Sequence, residues 1–250
     1  MIELAYGPVQ SLRYGLTLGV NVLGREKVCS FDCGYCDLGL SKMTLQYARK
    51  EYQFPNVDMI VSSVRKAVSE LKSEVTALVV SGNGEPTLHP DFDEIIKALL
   101  PLRHEILLGR PLIVFTNGAH LDVKKVVAGL NEADERVVKL DAGNDATLKM
   151  VNSPLVRTSV EKIMDGIKKL KDFHIQSMFV KGEVDNTTPE RIDEWIEVMG
   201  ILKPKSVQLM TLTRPPAMQN FLAVEEDTLY SIAHKLKKRT QLEANVYSAK

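Results

Sequence analysis

Cys29, Cys33 and Cys36 are the only cysteines of this 250-residue chain, and they fall within one stretch, Cys29-Ser30-Phe31-Asp32-Cys33-Gly34-Tyr35-Cys36. An odd number packed so closely is no disulfide framework, and the cluster reads as metal binding or catalysis. Thiolates suit zinc or iron–sulfur clusters better than hard cations. A cubane of four irons normally takes four thiolates. Here no further cysteine exists, so one iron would stay open to an exchangeable amino acid chelate. A structural zinc site wants four ligands, and none of His89, His104, His120, His174 and His234 lies in this loop. A catalytic zinc with three thiolates and a water, or three unligated thiols, remains open on spacing alone.

Other residue groups could serve a ligand beside such a centre. Val79-Val80-Ser81-Gly82-Asn83-Gly84-Glu85-Pro86-Thr87 has glycines that let backbone approach a ligand closely. Carbonyls of this turn and the Glu85 carboxylate could receive an ammonium; an ordinary turn after a strand is the competing reading. Asp141, after Lys139-Leu140, could accept from ribose hydroxyls or simply cap a turn or helix. Asn117-Gly118 is a common turn dipeptide that could also face a ligand. Arg13 and Arg214 could clamp a small anion with their guanidinium forks. Lys235, Lys237, Lys238 and Arg239 could grip RNA phosphates or form a solvated helix face.

These residues need strand ends and loops to carry them. Apolar runs at Leu16–Leu23, Ala77–Ser81, Leu112–Thr116, Val137–Asp141, Ile175–Val180 and Ser206–Thr211 lack polar alternation. That pattern fits parallel strands buried on both faces. Between them, Ile60, Val61, Val64, Ala67, Val68 and Leu71 recur at helical spacing, as do Val160, Ile163, Met164, Ile167 and Leu170. Ile192, Trp195, Ile196, Met199 and Leu202 form a third stripe, opened by Thr188-Pro189-Glu190. Strands interleaved with helices imply an α/β fold with right-handed crossovers. The length predicts a partial (β/α)6 barrel of the TIM type, with the cysteine loop at the C-terminal end of the first strand, where barrel active sites form. The expected layout is one domain: an N-terminal segment over 1–15, the partial barrel over 16–213 and an appendage over 214–250. The appendage holds a helix near Asp227–Arg239 and a strand near Leu242–Tyr247.

Bulk properties narrow the class. Thirty-two basic residues balance thirty-two acidic ones, so no global field draws in nucleic acid. No apolar run is long enough to span a membrane. The opening Met-Ile-Glu-Leu-Ala-Tyr-Gly-Pro is not patterned as a secretory signal, and the expected compartment is the cytoplasm.

The C-x3-C-x2-C loop with Tyr35 before its last cysteine, together with Gly84-Glu85-Pro86 after the second strand, resembles the radical S-adenosylmethionine (SAM) superfamily. Gly7 to Arg13, Leu18-Gly19-Val20-Asn21, Cys36-Asp37-Leu38-Gly39 and Gly82 to Pro90 resemble the subgroup related to the wyosine-base synthases that modify tRNA. The resemblance implies a [4Fe–4S] cluster on Cys29, Cys33 and Cys36 and SAM as its partner. Reductive cleavage of SAM would release a 5′-deoxyadenosyl radical that abstracts hydrogen from a substrate. It further implies Tyr35 beside the adenine, Asn83, Gly84 and Glu85 on the methionine ammonium, and Asp141 near the ribose. Asn117, at the third strand's end, joins the same cofactor-binding set. An external one-electron reductant of the flavodoxin or ferredoxin type is implied as well. Wyosine synthases carry extra cysteines for a second cluster, and this chain lacks them. The substrate is left as an RNA base, such as one in tRNA, or a small metabolite. An activating enzyme that installs a glycyl radical on a protein, or a non-catalytic metal-binding protein, are the competing functions.

Overall fold

The computed structural model describes residues 4–41, 50–71, 74–107 and 109–248. The chain packs as two compact units. The first comprises Met1–Ser30, Ser41–Thr116 and His120–Val137, and the second comprises Phe31–Leu40, Asn117–Ala119 and Val138–Lys250.

In the first unit, β1 (Ala5–Ser11) and β2 (Gly15–Val20) form an antiparallel hairpin. Then β3 (Ala77–Val80) pairs in parallel with β2, and β4 (Leu112–Thr116) in parallel with β3. Hydrogen-bonded order runs β1-β2-β3-β4, and β5 (Glu135–Lys139) follows in the chain. Helices α1 (Val57–Glu70), α2 (Phe92–Ile106) and α3 (Lys124–Glu132) connect these strands. Asn56 caps α1, its side chain accepting from the amide of Met59. All four residues of β3 are buried. Ala77 and Val79 join Ile113 and Val137 in one cluster, while Leu78 and Val80 point to the opposite side, as strand alternation requires. Burial on both faces is why these segments carry no polar alternation.

In the second unit, the order is β5-β6-β8-β10, with β6 at His174–Met178, β8 at Ser206–Met210 and β10 at Ala244–Tyr247. Both β6–β8 and β8–β10 are parallel. A small antiparallel ribbon joins β7 (Val180–Gly182) to β9 (Phe221–Ala223). The helices are α4 (Asp145–Asn152), α5 (Val160–Ile167), α6 (Pro189–Leu202) and α7 (Glu226–Thr240). The predicted stripe of α6 is buried through Ile192, Trp195, Ile196, Met199 and Leu202. Thr188 occupies its cap position without a side-chain bond. Trp195 packs edge-on against Phe179, and its indole N–H donates to the Leu140 carbonyl and to Ser177 Oγ. That bond pins the end of β5 just ahead of Asp141. Among the described residues no helix is long and apolar enough to cross a membrane.

Candidate functional site

In the first unit the approach to Cys29 is built from side-chain amides. Asn21 Oδ1 accepts from the Leu23 amide at 3.1 Å, and its Nδ2 donates to the Gly24 carbonyl at 2.6 Å. Asn83 Nδ2 reaches the same carbonyl at 2.7 Å and that of Arg25 at 3.1 Å. Beyond this loop, Val28 lies against the Gly82–Glu85 turn. The Val28 amide donates to the Asn83 carbonyl, and the Glu85 amide donates to the Val28 carbonyl, both at 2.9 Å. Gly84 has φ +128°, and a Cβ on it would stand 1.9 Å from the Val28 carbonyl oxygen. Only glycine fits there. The glycine of this turn therefore positions the residue immediately before Cys29.

Glu85 is 2% exposed. Its Oε1 accepts from the Thr87 amide at 3.2 Å, from Thr87 Oγ1 at 2.6 Å and from Thr116 Oγ1 at 2.7 Å. Glu85 thus caps the short turn Pro86–Leu88 and ties it to the end of β4. Arg13 lies over the ring of Phe115, its guanidinium carbon 4.8 Å from the centroid.

In the second unit the cysteine loop is anchored by backbone. The Asp32 amide donates to the Ser153 carbonyl and the Gly34 amide to the Val151 carbonyl, both at the end of α4. The Met218 amide donates to the Gly34 carbonyl. Tyr35 is buried with Val151, Val180 and Phe221, and Cys33 packs against that cluster. The Tyr35 hydroxyl donates to Asp141 Oδ2.

Asp141 gathers this part of the site. It is 2% exposed, and its Oδ2 also accepts from Asn152 Nδ2 at 2.6 Å. Its Oδ1 accepts from the Met178 amide at 2.8 Å, with Lys139 Nζ 3.7 Å away. Lys139 also lies over the Tyr35 ring, 5.1 Å from the centroid. Asn186 Nδ2 donates to the Asp141 carbonyl. Three hydrogen-bond donors and the Lys139 ammonium surround a carboxylate with about four lone-pair sites. Burial, then the neighbouring Asp141 charge, raises the Tyr35 hydroxyl well above the ordinary range. The same two causes push the Cys33 thiol up to about 11.

The remaining expected residues fall as follows. Asn117 Oδ1 accepts from the Ala119 amide, the geometry of a turn. Arg214 pairs with Asp37, next to Cys36, at 2.7 Å, both groups exposed to solvent. The basic strip of α7 is largely matched by acids: Lys235 and Arg239 both pair with Asp193, and Lys237 with Glu243. Thr116 is legible in the sequence only as the end of the third strand, and Asn152 and Asn186 are not singled out there at all. Asn152 did carry a signal, being a polar residue four positions after buried Leu148 on the inward stripe of α4.

All three cysteines are free of disulfides, and among the described residues no three Cys, His, Asp or Glu side chains converge as metal ligands. The donor chemistry fits an iron–sulfur cluster: three thiols on one short loop, one of them, Cys33, receiving an N–H from Asn152 at 3.3 Å. Against known families, residues 27–199 match the Radical SAM superfamily. The chain belongs to that superfamily. Among curated relatives of this radical SAM enzyme is a UPF0026 protein from Synechocystis sp., 32% identical over 222 residues that cover 87% of this chain and 78% of that protein. A radical SAM methyltransferase from Sphaerobacter thermophilus superposes with a TM-score of 0.67 at 16% identity, covering 94% of this chain and 66% of its own. TYW1 with a lysine–pyruvate adduct bound gives a TM-score of 0.60 at 16% identity, covering 90% of this chain and 74% of that one. At such identities the likeness establishes the fold, which is the expected α/β partial barrel of mainly parallel strands.

Proposed function

We propose that this enzyme binds a [4Fe–4S] cluster through Cys29, Cys33 and Cys36, with SAM at the iron no cysteine can take. The observation that carries this reading is the superfamily match over residues 27–199, which includes the whole cysteine triad. Such a cluster, once reduced, supplies the electron that cleaves the SAM sulfonium to methionine and a 5′-deoxyadenosyl radical. The protein's own groups hold and orient. The Gly82–Glu85 turn fixes Val28 and offers carbonyls and the Glu85 carboxylate toward the methionine ammonium. Tyr35 is held through Asp141 on the cysteine loop. Asp141, with its donors already in place, serves first to fix that loop and offers the ribose only what its four partners leave.

The substrate of that chemistry would be an RNA base or a small metabolite, with the electron supplied by an external reductant of the flavodoxin or ferredoxin type. The sequence resemblance to wyosine-base synthases supports the RNA alternative. The ion pairs along α7 speak against a phosphate grip by that helix. Enrichment of tRNA on the purified enzyme separates the two. Anaerobic reconstitution tests the cofactor: a brown protein with about four irons per chain is expected. A colourless protein retaining stoichiometric zinc contradicts it.

A further inference from the structure

Asn152 is 3% exposed, at the last turn of α4. Its side-chain nitrogen faces three acceptors: Asp141 Oδ2 at 2.6 Å, Tyr35 Oη at 3.2 Å and Cys33 Sγ at 3.3 Å. An amide nitrogen has two hydrogens. The closest acceptor, an ionised carboxylate, takes one. The Tyr35 hydroxyl spends its own hydrogen on Asp141, so it competes only as a neutral acceptor for the second. A thiolate sulfur carries negative charge, and charge-assisted hydrogen bonds are the stronger ones. Once Cys33 is a metal-bound thiolate, the second hydrogen belongs to its sulfur. The Asn152 carbonyl oxygen meanwhile is buried with no hydrogen-bond partner, an arrangement that costs free energy and needs a compensating reason. The amide cannot be flipped to relieve it, because its oxygen would then face the Asp141 carboxylate.

We infer that Asn152 is a positioning residue that sets the cluster's reduction potential by donating an N–H to the sulfur of Cys33. The inference rests on Cys33 being a cluster ligand. Reduction adds negative charge that spreads onto the cluster sulfurs, so a donor aimed at one of them favours the reduced state. Asp141 works the other way, because a carboxylate beside Cys33 opposes added negative charge. Asn152 stands between the two, donating to both, and offsets the cost of holding Tyr35 through a buried anion. Removing the amide leaves the cluster harder to reduce.

The test is a mediator titration of the reduced-cluster paramagnetic resonance signal in reconstituted wild type, Asn152→Ala and Asn152→Leu, neither of which can donate to the sulfur. Iron content is measured in each. The midpoint potential is expected to fall from wild type to both variants, with iron per chain unchanged. Equal potentials at equal iron content overturn the role of Asn152 and leave the cluster assignment standing. Wild type that takes up no cluster overturns the assignment itself. A wild-type measurement covers variants that fail to fold or load. Protein labelled with ¹⁵N at the asparagine side chain is expected to show a nitrogen coupling in the pulsed spectrum of the reduced cluster, and an uncoupled spectrum overturns the inference.

Discussion

Gly84 and Val28 approach so closely that a Cβ on the glycine would lie 1.9 Å from the Val28 carbonyl oxygen. The contact joins the turn after β3 to the residue before the first cysteine, and it is made of backbone alone. Gly84→Ala must therefore displace Val28 or the turn, at a φ that side chains rarely adopt. A loss of about 3 kcal/mol or more in unfolding free energy is expected, together with reduced iron uptake. An unchanged urea midpoint would show that the two segments are not fixed to each other.

Tyr35 and Asp141 are predicted to act as one unit. Tyr35→Phe leaves the carboxylate with its other donors and should cost about 1–3 kcal/mol. Asp141→Asn disturbs every donor at once and should cost more. In a double-mutant cycle the two changes should couple by at least about 0.5 kcal/mol. Additive losses in thermal or urea unfolding would mean the hydroxyl and carboxylate do not share a bond.

The sequence made part of this site readable, and physical reasons divide what it showed from what it hid. Ala77–Val80 and Leu112–Thr116 were legible because strands buried on both faces are written as unbroken apolar runs. The cysteine triad was legible because its donors come from one short loop. The strand Ala5–Ser11 was not, since Gly7-Pro8 interrupts it at a register shift, and a proline inside a run normally argues against a strand. The bond between Tyr35 and Asp141 spans 106 residues, and that from Asn152 to Cys33 spans 119. Local spacing carries no trace of either. Asp141 reads as a ribose or cap residue because its strand-end position is visible in sequence, while the three hydrogen-bond donors and the Lys139 ammonium around it are not.

Cluster-free protein should lose stability in alkali. Burial and Asp141 raise Cys33 from its ordinary 9.0 to about 11. Between those values the unfolded chain has shed a proton that the folded chain still holds, so unfolding free energy falls as pH rises. Half-buried as Cys33 is, the loss should be about 1–2 kcal/mol. Cys33→Ser should remove that part of the slope, and the remainder above about pH 10 belongs to Tyr35, raised for the same reasons. Urea midpoints from about pH 8 to about pH 11 check this; identical slopes in wild type and variant would refute it.

Glu85→Gln should separate the carboxylate's two duties. The glutamine carbonyl can still accept from Thr87 and Thr116, so the turn and the iron content should survive. If the Glu85 charge faces the SAM ammonium, as proposed, its loss should weaken SAM binding by roughly ten- to a hundredfold, about 1.5–3 kcal/mol. Unchanged affinity in an equilibrium titration would restrict Glu85 to capping the turn.

The account's central claim is that three cysteines leave one iron for SAM, and the paramagnetic resonance spectrum of the reduced protein tests it most directly. Adding SAM is expected to alter that spectrum, because its methionine moiety would displace the exchangeable ligand of the iron that no cysteine holds. Dithionite and SAM together should then yield methionine and 5′-deoxyadenosine, slowly, without any substrate. A spectrum indifferent to SAM, with no deoxyadenosine formed, would contradict the claim.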